Sequence, residues 1–500
     1  MRFHRMFVCA LLAVFMLMSA EEAFAGRRNY TLTGLKKPGA DKSTKPGGDG
    51  KDAEKPFAEL IKDRVAIDGL FTFYLDTNSN AVYMSIKPDQ FGKVYLCGTT
   101  ISKSDGAFFD NGSMSDTYPF YFKRVGKKVM LMEKNLRLRA DTSSTLHKAV
   151  ASGISDALLA SFKVESKPDT AGAILIDPTS FFVRDAENIS YFLGQMGQTA
   201  LSFDKENSYY ETIKSFPMNS ELDVRLHYRT NKPQSGVSLQ NGMSMYHTYH
   251  YSLSAFPESD FVPRIADDRV GHFLSIYQDY SNLDTESPYV RYVNRWHLKK
   301  KDPSAAVSEP VEPIVYWIEN TVPHEYRDAV KKGIEFWQPA FEKAGFKNAI
   351  IAKQMEDTAT WDPADVRYST VRWIIIPGGT YAVGPSRANP LTGQIYDADI
   401  RVGADFIRAM YNTMEKWIAP VAFDGSVAQE NPEIQAALDK MRSEHPHFCD
   451  YESQSATEAA FGLNYVLTNM DDFADKDAVT KEYVNAYITE LVAHEVGHTL

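Results

Sequence analysis

AHEVGHTL, residues 493–500, sets two histidines four apart with a glutamate directly after the first. On a helix, positions i and i+4 share a face about 6 Å apart, so His494 and His498 can each bring an imidazole nitrogen to one zinc ion, about 2.0 Å away. Glu495 is rotated off that line. In the HExxH arrangement it is not a ligand but the base that takes a proton from the metal-activated water and hands it to the leaving amine. With 12 histidines in 500 residues, a chance HExxH turns up in about one or two such chains per hundred, so the setting has to carry the reading.

The setting favours a catalytic zinc site. His494–Leu500 supplies the first seven residues of HExxHxxGxxH, in which a glycine turn returns a third histidine to the metal. Continued, the pattern predicts glycine at position 501 and histidine at position 504; a glutamate on a later helix is the rival third ligand. Upstream, Tyr483, Tyr487, Leu491 and His494 form one stripe, which predicts a helix from about residue 480.

Further upstream the order is strand (314–318), long helix (323–344), then strands at 349–353, 367–376 and 395–401. Tyr326, Ala329, Val330, Gly333, Ile334, Trp337, Ala340 and Phe341 recur at helical spacing, with Gly345 as a stop. This is a backing helix for a sheet and carries no chemistry. Residues 404–475 read as a less regular insertion. Residues 314–500 are therefore expected to form an α/β zinc-peptidase domain: a mixed sheet, a backing helix and an active-site helix.

The charged stretch 299–313, with Pro303, Pro310 and Pro313, reads as the linker before it. Residues 57–298 carry mostly strand signals, divided into a small β-rich domain (57–105) and a larger one (106–298), which makes the fold class α+β. Runs at 70–75 and 81–86 flank a turn at 76–80, and 121–124 and 128–132 flank Gly126, as hairpins do. Residues 173–176, 181–183 and 223–228 are further strand candidates, and 155–162 is a helical one.

At the N-terminus, Arg2 and Arg5, the apolar run 6–20 and Ala23-Phe24-Ala25 read as a signal peptide over 1–25, so the chain is expected to be exported: periplasmic, cell-surface or extracellular. The run is shorter than the ~20 residues that span a bilayer, so no integral membrane segment is expected after cleavage. Residues 26–56, rich in Lys, Asp, Gly and Pro, read as a disordered linker. A net charge of −11 argues against nucleic acid and anionic membrane as partners. Cys97 and Cys449 remain after the leader, and two lone cysteines make no disulfide framework.

Beyond the zinc motif, PRIADDRVGHF (263–273), RWHLKKKDPSAAVSEPVEPIVYWIEN (295–320), FWQPAFEKAGF (336–346), VRYSTVRW (366–373) and GPSRANPLTGQIYDADI (384–400) resemble a family of large exported bacterial zinc-dependent metalloproteases. Their N-terminal domains have no known function and their catalytic domain is of metzincin type. The resemblance spans the chain from about residue 57. It implies a peptidase acting on polypeptide substrates, Zn2+ as cofactor, His494 and His498 as metal ligands, Glu495 as the catalytic base, and residues 395–401 in the catalytic sheet beside the cleft where an extended peptide adds as a strand. Two rivals stand beside it: an aminopeptidase-like zinc enzyme with a downstream glutamate ligand, and an exported binding protein whose zinc domain is vestigial.

Other candidates are discounted. His445, His447 and Cys449 form a loop with weak metal character. His247 and His250 lie three apart on a strand and face opposite ways. Asp397 and Asp399 share a strand face that is expected to be solvated. The glycines at 378, 379 and 384 lack a phosphate-loop ending and read as turns. Cys97 is expected to be a buried strand residue, and Trp296, Trp317, Trp337 and Trp373 to be core.

Overall fold

In the N-terminal half, apolar side chains at every second position set the architecture. Leu222, Val224, Leu226 and Tyr228 are all fully buried, the period of two that lays one strand face on a core. The computed structural model describes residues 54–104, 111–185, 188–189, 201–232, 240–256, 259–375, 382–408, 451–470 and 475–500. The expected leader, nearly all of the expected tether and the 445–449 run lie outside them.

Fourteen strands are described in this half: β1 (Val65–Ile67), β2 (Thr72–Leu75), β3 (Val82–Ile86), β4 (Tyr95–Lys103), β5 (Met114–Val125), β6 (Lys128–Glu133), β7 (Leu138–Arg139), β8 (Ala157–Lys163), β9 (Ile174–Ile176), β10 (Ser202–Ser215), β11 (Asn219–Arg229), β12 (Ser244–Ala255), β13 (Leu274–Asp279) and β14 (Tyr289–Val293). A seven-stranded antiparallel sheet runs β10-β11-β12-β4-β5-β6-β8, and a four-stranded one runs β1-β2-β3-β9. They share one core, from Phe71 to Ala255. Short helices α1 (Phe57–Ile61), α2 (Leu146–Gly153) and α3 (Thr179–Phe182) fill the connections.

The hairpins lie where the turn residues place them, with Asn80 and Gly126 both at positive φ. Three expectations change. The structure does not separate 57–105 from 106–298, because β4 pairs with both β5 and β12 in the middle of the large sheet. Of residues 155–162, 157–162 fall in strand β8 rather than a helix, since pairing with β6 overrides the propensity of an Ala- and Leu-rich run. Residues 181–183 belong to the end of α3, a single helical turn that buries Phe181 and Phe182 side by side.

The C-terminal half contains β15 (Ile314–Ile318), helices α4 (Arg327–Glu335) and α5 (Gln338–Lys343), strands β16 (Ile350–Gln354), β17 (Thr370–Ile374), β18 (Ala382–Val383), β19 (Ser386–Ala388) and β20 (Ile395–Gly403), and helices α6 (Tyr451–Thr468) and α7 (Lys476–Gly497). Strands β16-β15-β17-β20 are parallel, and β18 and β19 run antiparallel to β20 along its outer side. The expected helix over 323–344 is two helices. Pro339, in the first turn of α5, has no N–H and its ring would collide with the Glu335 carbonyl, where α4 ends.

Helix α4 packs between the sheet and α7. A Cβ at Gly333 would lie 2.7 Å from Val492 Cβ and 2.8 Å from the Thr489 carbonyl oxygen, so this crossing needs glycine. Helix α6 lies within the stretch read as irregular. The expected linker 299–313 is folded onto the domain: Ser308 is buried, its N–H donates to the Gly345 carbonyl (3.1 Å), and Lys347 N–H donates to the Ser308 carbonyl (3.0 Å). The described chain is thus mixed α+β, rich in sheet. Among the described residues no helix is long and apolar enough to cross a membrane.

Candidate metal centre on the C-terminal helix

Helix α7 begins where Asp475 caps it, the carboxylate accepting from Ala478 N–H at 3.0 Å, about one turn earlier than the stripe predicts. Val484, Ile488, Leu491, Val492 and Val496 bury one face against α4 and the sheet. That burial fixes the helix about its axis and leaves His494 and His498 half-buried on the other side.

Their Nε2 atoms approach to 3.0 Å. Two nitrogens about 2.0–2.1 Å from a tetrahedral zinc would be about 3.3 Å apart, so the pair is already close to ligand geometry. Burial, with the His498 ring beside it, pushes the His494 pKa down to about 4, and burial also lowers that of His498. Both rings are therefore neutral near pH 7, the form that coordinates a metal. The donor set fits zinc.

Second contacts fix the rings and the backbone. Tyr451, from α6, stacks on His494 with centroids 3.9 Å apart and an angle of 9° between planes, and its hydroxyl donates to Glu490 at 2.8 Å. Trp337 Nε1 donates to the Ala493 carbonyl and Trp296 Nε1 to the Thr499 carbonyl, both at 2.8 Å. Glu495 is wholly buried. Its backbone meets Gly384, between β18 and β19: a Cβ at that glycine would lie 2.2 Å from the Glu495 carbonyl oxygen. Gly384 is thus a close-packing position, not only a turn.

A cleft of about 770 Å³ lies between the two halves, lined by Thr117–Pro119, Glu133–Arg137 and Phe273–Gln278 of the N-terminal half and by Pro385–Ala388 of the C-terminal half; it nears α7 through Phe273. The Phe273 ring lies 6.3 Å from that of His498. Residues 395–401 do belong to the sheet, but β20 is internal, flanked by β17 and by β18 and β19, and it is β19 that takes the place beside the cleft expected for it. Tyr451 and Phe273 were not singled out from sequence, because neither spacing nor a motif ties them to residues 494–498.

Asp397 and Asp399 do not line a solvated face. Both are buried; Asp397 pairs with Arg387 Nε at 3.2 Å and Asp399 accepts from Thr370 Oγ1 at 2.6 Å. Burial, and the adjacent Asp399, hold the Asp397 carboxyl well above the usual aspartate range. Cys97 is buried in the N-terminal core, and that burial pushes its thiol up to about 11. His247 packs on Tyr228 while His250 faces Asp223, on opposite sides of β12. Trp296, Trp337 and Trp373 join the C-terminal core, whereas Trp317 sits in an aromatic group with Trp361 and Tyr368.

Residues 112–301 match a family model described as a domain of unknown function, DUF5117. No curated protein and no solved structure matches the chain. The match covers β5 to β14 and stops short of helix α7. It also leaves out β4, which completes the same sheet.

Proposed function

We propose that this chain is an exported zinc-dependent endopeptidase whose C-terminal half is a metzincin-like catalytic domain. The observation that carries the reading is the 3.0 Å approach of His494 Nε2 and His498 Nε2 on a helix held from both sides. When bound, zinc supplies Lewis acidity, acidifying a water molecule and polarising the scissile carbonyl.

Each residue then has one task. His494 and His498 present neutral imidazoles, Tyr451 keeps the first ring in plane, and the α7 backbone fixes their spacing. Glu495 takes the water's proton and returns it to the leaving amine. The cleft beside β19 has room for an extended polypeptide, and strand edges recognise such chains through main-chain hydrogen bonds.

Glu495→Gln in the full-length protein tests the assignment. The variant should keep its zinc and lose peptide cleavage by about 10²–10⁴-fold, the usual contribution of a general base. Undiminished cleavage would sink the mechanism. Bound zinc with no turnover of any peptide by the unmodified protein would favour a binding role.

A further inference from the structure

A second group of metal-ligating side chains lies on the outer face of the large N-terminal sheet, under a loop of the C-terminal half. Asp223 on β11, His250 on β12 and Asp362 in the loop before β17 bring one ligand atom each to within 4.8 Å of one another. They border a cavity of about 190 Å³. His250 Nδ1 and Asp223 Oδ1 are 2.9 Å apart, close to the ~3.0 Å between two adjacent ligands of an octahedral cation about 2.1 Å from each.

The other side of the ring is built to support this. His250 Nε2 lies 2.8 Å from Glu221 Oε2, and Glu221 is itself held by Ser252 Oγ (2.8 Å) and Asn219 Nδ2 (2.5 Å). A carboxylate anchored in this way accepts a hydrogen bond from Nε2–H and leaves the Nδ1 lone pair towards Asp223 and Asp362. Metal-binding histidines are oriented by such partners. Glu221 and His250 are both almost completely buried.

Charge points the same way. Of the carboxylates around the cavity, Asp365 is paired with Arg367, at 2.5 Å. That leaves Glu221, Asp223 and Asp362 against one imidazole, with Lys214 reaching the Thr360 carbonyl (3.3 Å) at an exposed position. Carboxylates thus outnumber cations around the cavity, at the junction of the two halves of the chain.

We infer that Asp223, His250 and Asp362 bind a first-row divalent cation that ties the N-terminal sheet to the loop before β17. One nitrogen and two carboxylates suit zinc or manganese; calcium takes oxygen ligands only. The site is separate from His494 and His498, and its role is to join the two halves. The competitor for Nδ1 is a proton. Burial lowers the basicity of the ring, but the carboxylates of Asp223 and Glu221 outweigh it and hold the pKa up to about 10.

The test uses the full-length protein with His494→Ala and His498→Ala, so its result does not depend on the peptidase reading. After chelation and dialysis, Zn2+ and Mn2+ are titrated separately, with bound metal counted by elemental analysis. The expected result is one equivalent of one of these cations and a rise in the melting midpoint on loading. Adding Asp362→Asn should weaken that binding by about tenfold or more and abolish the rise. Asparagine keeps the oxygen that accepts from Ala364 N–H, so the loop itself should fold. Nitrogen NMR of His250 should report a metal-bound Nδ1 and a protonated Nε2. No bound equivalent of either cation, equal binding by the Asp362→Asn protein, or a His250 ring that stays doubly protonated at saturating cation would each overturn the inference.

Discussion

Replacing Arg387 by alanine probes the joint between the two halves most directly. From β19, its guanidinium enters the N-terminal sheet, donating to Thr117 Oγ1 (2.8 Å), the Thr99 carbonyl (3.2 Å) and Thr100 Oγ1, while Nε faces Asp397 Oδ2. Arg387 is 3% exposed and Asp397 1%. Removing one partner of a buried pair costs about 3–5 kcal/mol because the other charge is left without compensation. The Asp397 carboxyl already sits well above its usual range, from burial and then from Asp399, and it can take up a proton once Arg387 is gone. The loss at pH 7 is therefore set at the low end, about 3 kcal/mol. At about 2–4 °C per kcal/mol, that is a drop of about 6–12 °C in the melting midpoint. The sign with pH follows. A carboxyl whose folded pKa exceeds its unfolded value is penalised as pH rises above the unfolded pKa, so the deficit of the variant should shrink on acidification towards pH 4. Melting followed by circular dichroism at pH 7 and pH 4.5, in wild-type and Asp397→Asn backgrounds, measures all of this. A loss below about 1 kcal/mol, or one of equal size in the Asp397→Asn background, would refute the reasoning.

Two further substitutions test other parts of the structure. Gly384→Ala forces a Cβ to 2.2 Å from the Glu495 carbonyl oxygen, so β18–β19 and α7 must move apart; the expected cost is about 1–3 kcal/mol or more, with the proposed zinc-dependent cleavage falling in parallel, and unchanged melting would refute the close contact. Asp156 accepts from Asn135 N–H (2.8 Å), Tyr121 Oη (2.8 Å) and Lys134 Nζ (3.1 Å). Burial raises its pKa, but these donors outweigh it and hold it below the usual range. Its contribution to stability is therefore present above about pH 3.9, the unfolded value, and is lost as pH falls through the lower folded pKa. Asp156→Asn should melt below wild type at pH 7, and the gap should close towards pH 2.5; a gap independent of pH would exclude the carboxylate as its source.

What could be read in the sequence was local. Period-two burial, the turns at Asn80 and Gly126, the Gly345 stop and the i, i+4 histidines depend on residues near one another in the chain, and each is found where its spacing puts it. The contacts that give the site its surroundings were not readable in this way. Tyr451 reaches His494 across 43 positions, and Trp296 reaches Thr499 across 203. The Ala- and Leu-rich run at 155–162 went wrong for the same reason, because its strand state is conferred by β6 and not by its own composition. Asp397 and Asp399 show the error in its sharpest form: alternation showed correctly that they share a face, but the arginine that compensates one of them lies ten residues away on another strand.

These long-range contacts bear on what the N-terminal half is for. The histidine pair is bracketed by two indole N–H donors, Trp337 on the Ala493 carbonyl before it and Trp296 on the Thr499 carbonyl after it. Trp337 belongs to the C-terminal half, but Trp296 lies inside the stretch that matches DUF5117, as does Phe273 beside His498. Tyr316, on β15, adds a hydroxyl contact to Thr499 Oγ1 at 2.5 Å. Both buried carbonyls would be costly to leave without a donor. Removing residues up to 301 would therefore strip the Thr499 carbonyl, just past α7, of its indole donor and the cleft of most of its lining. The region of unknown function thus helps to hold the turn that follows His498, and a protein cut within residues 299–313 should hold the two rings less firmly than the intact chain.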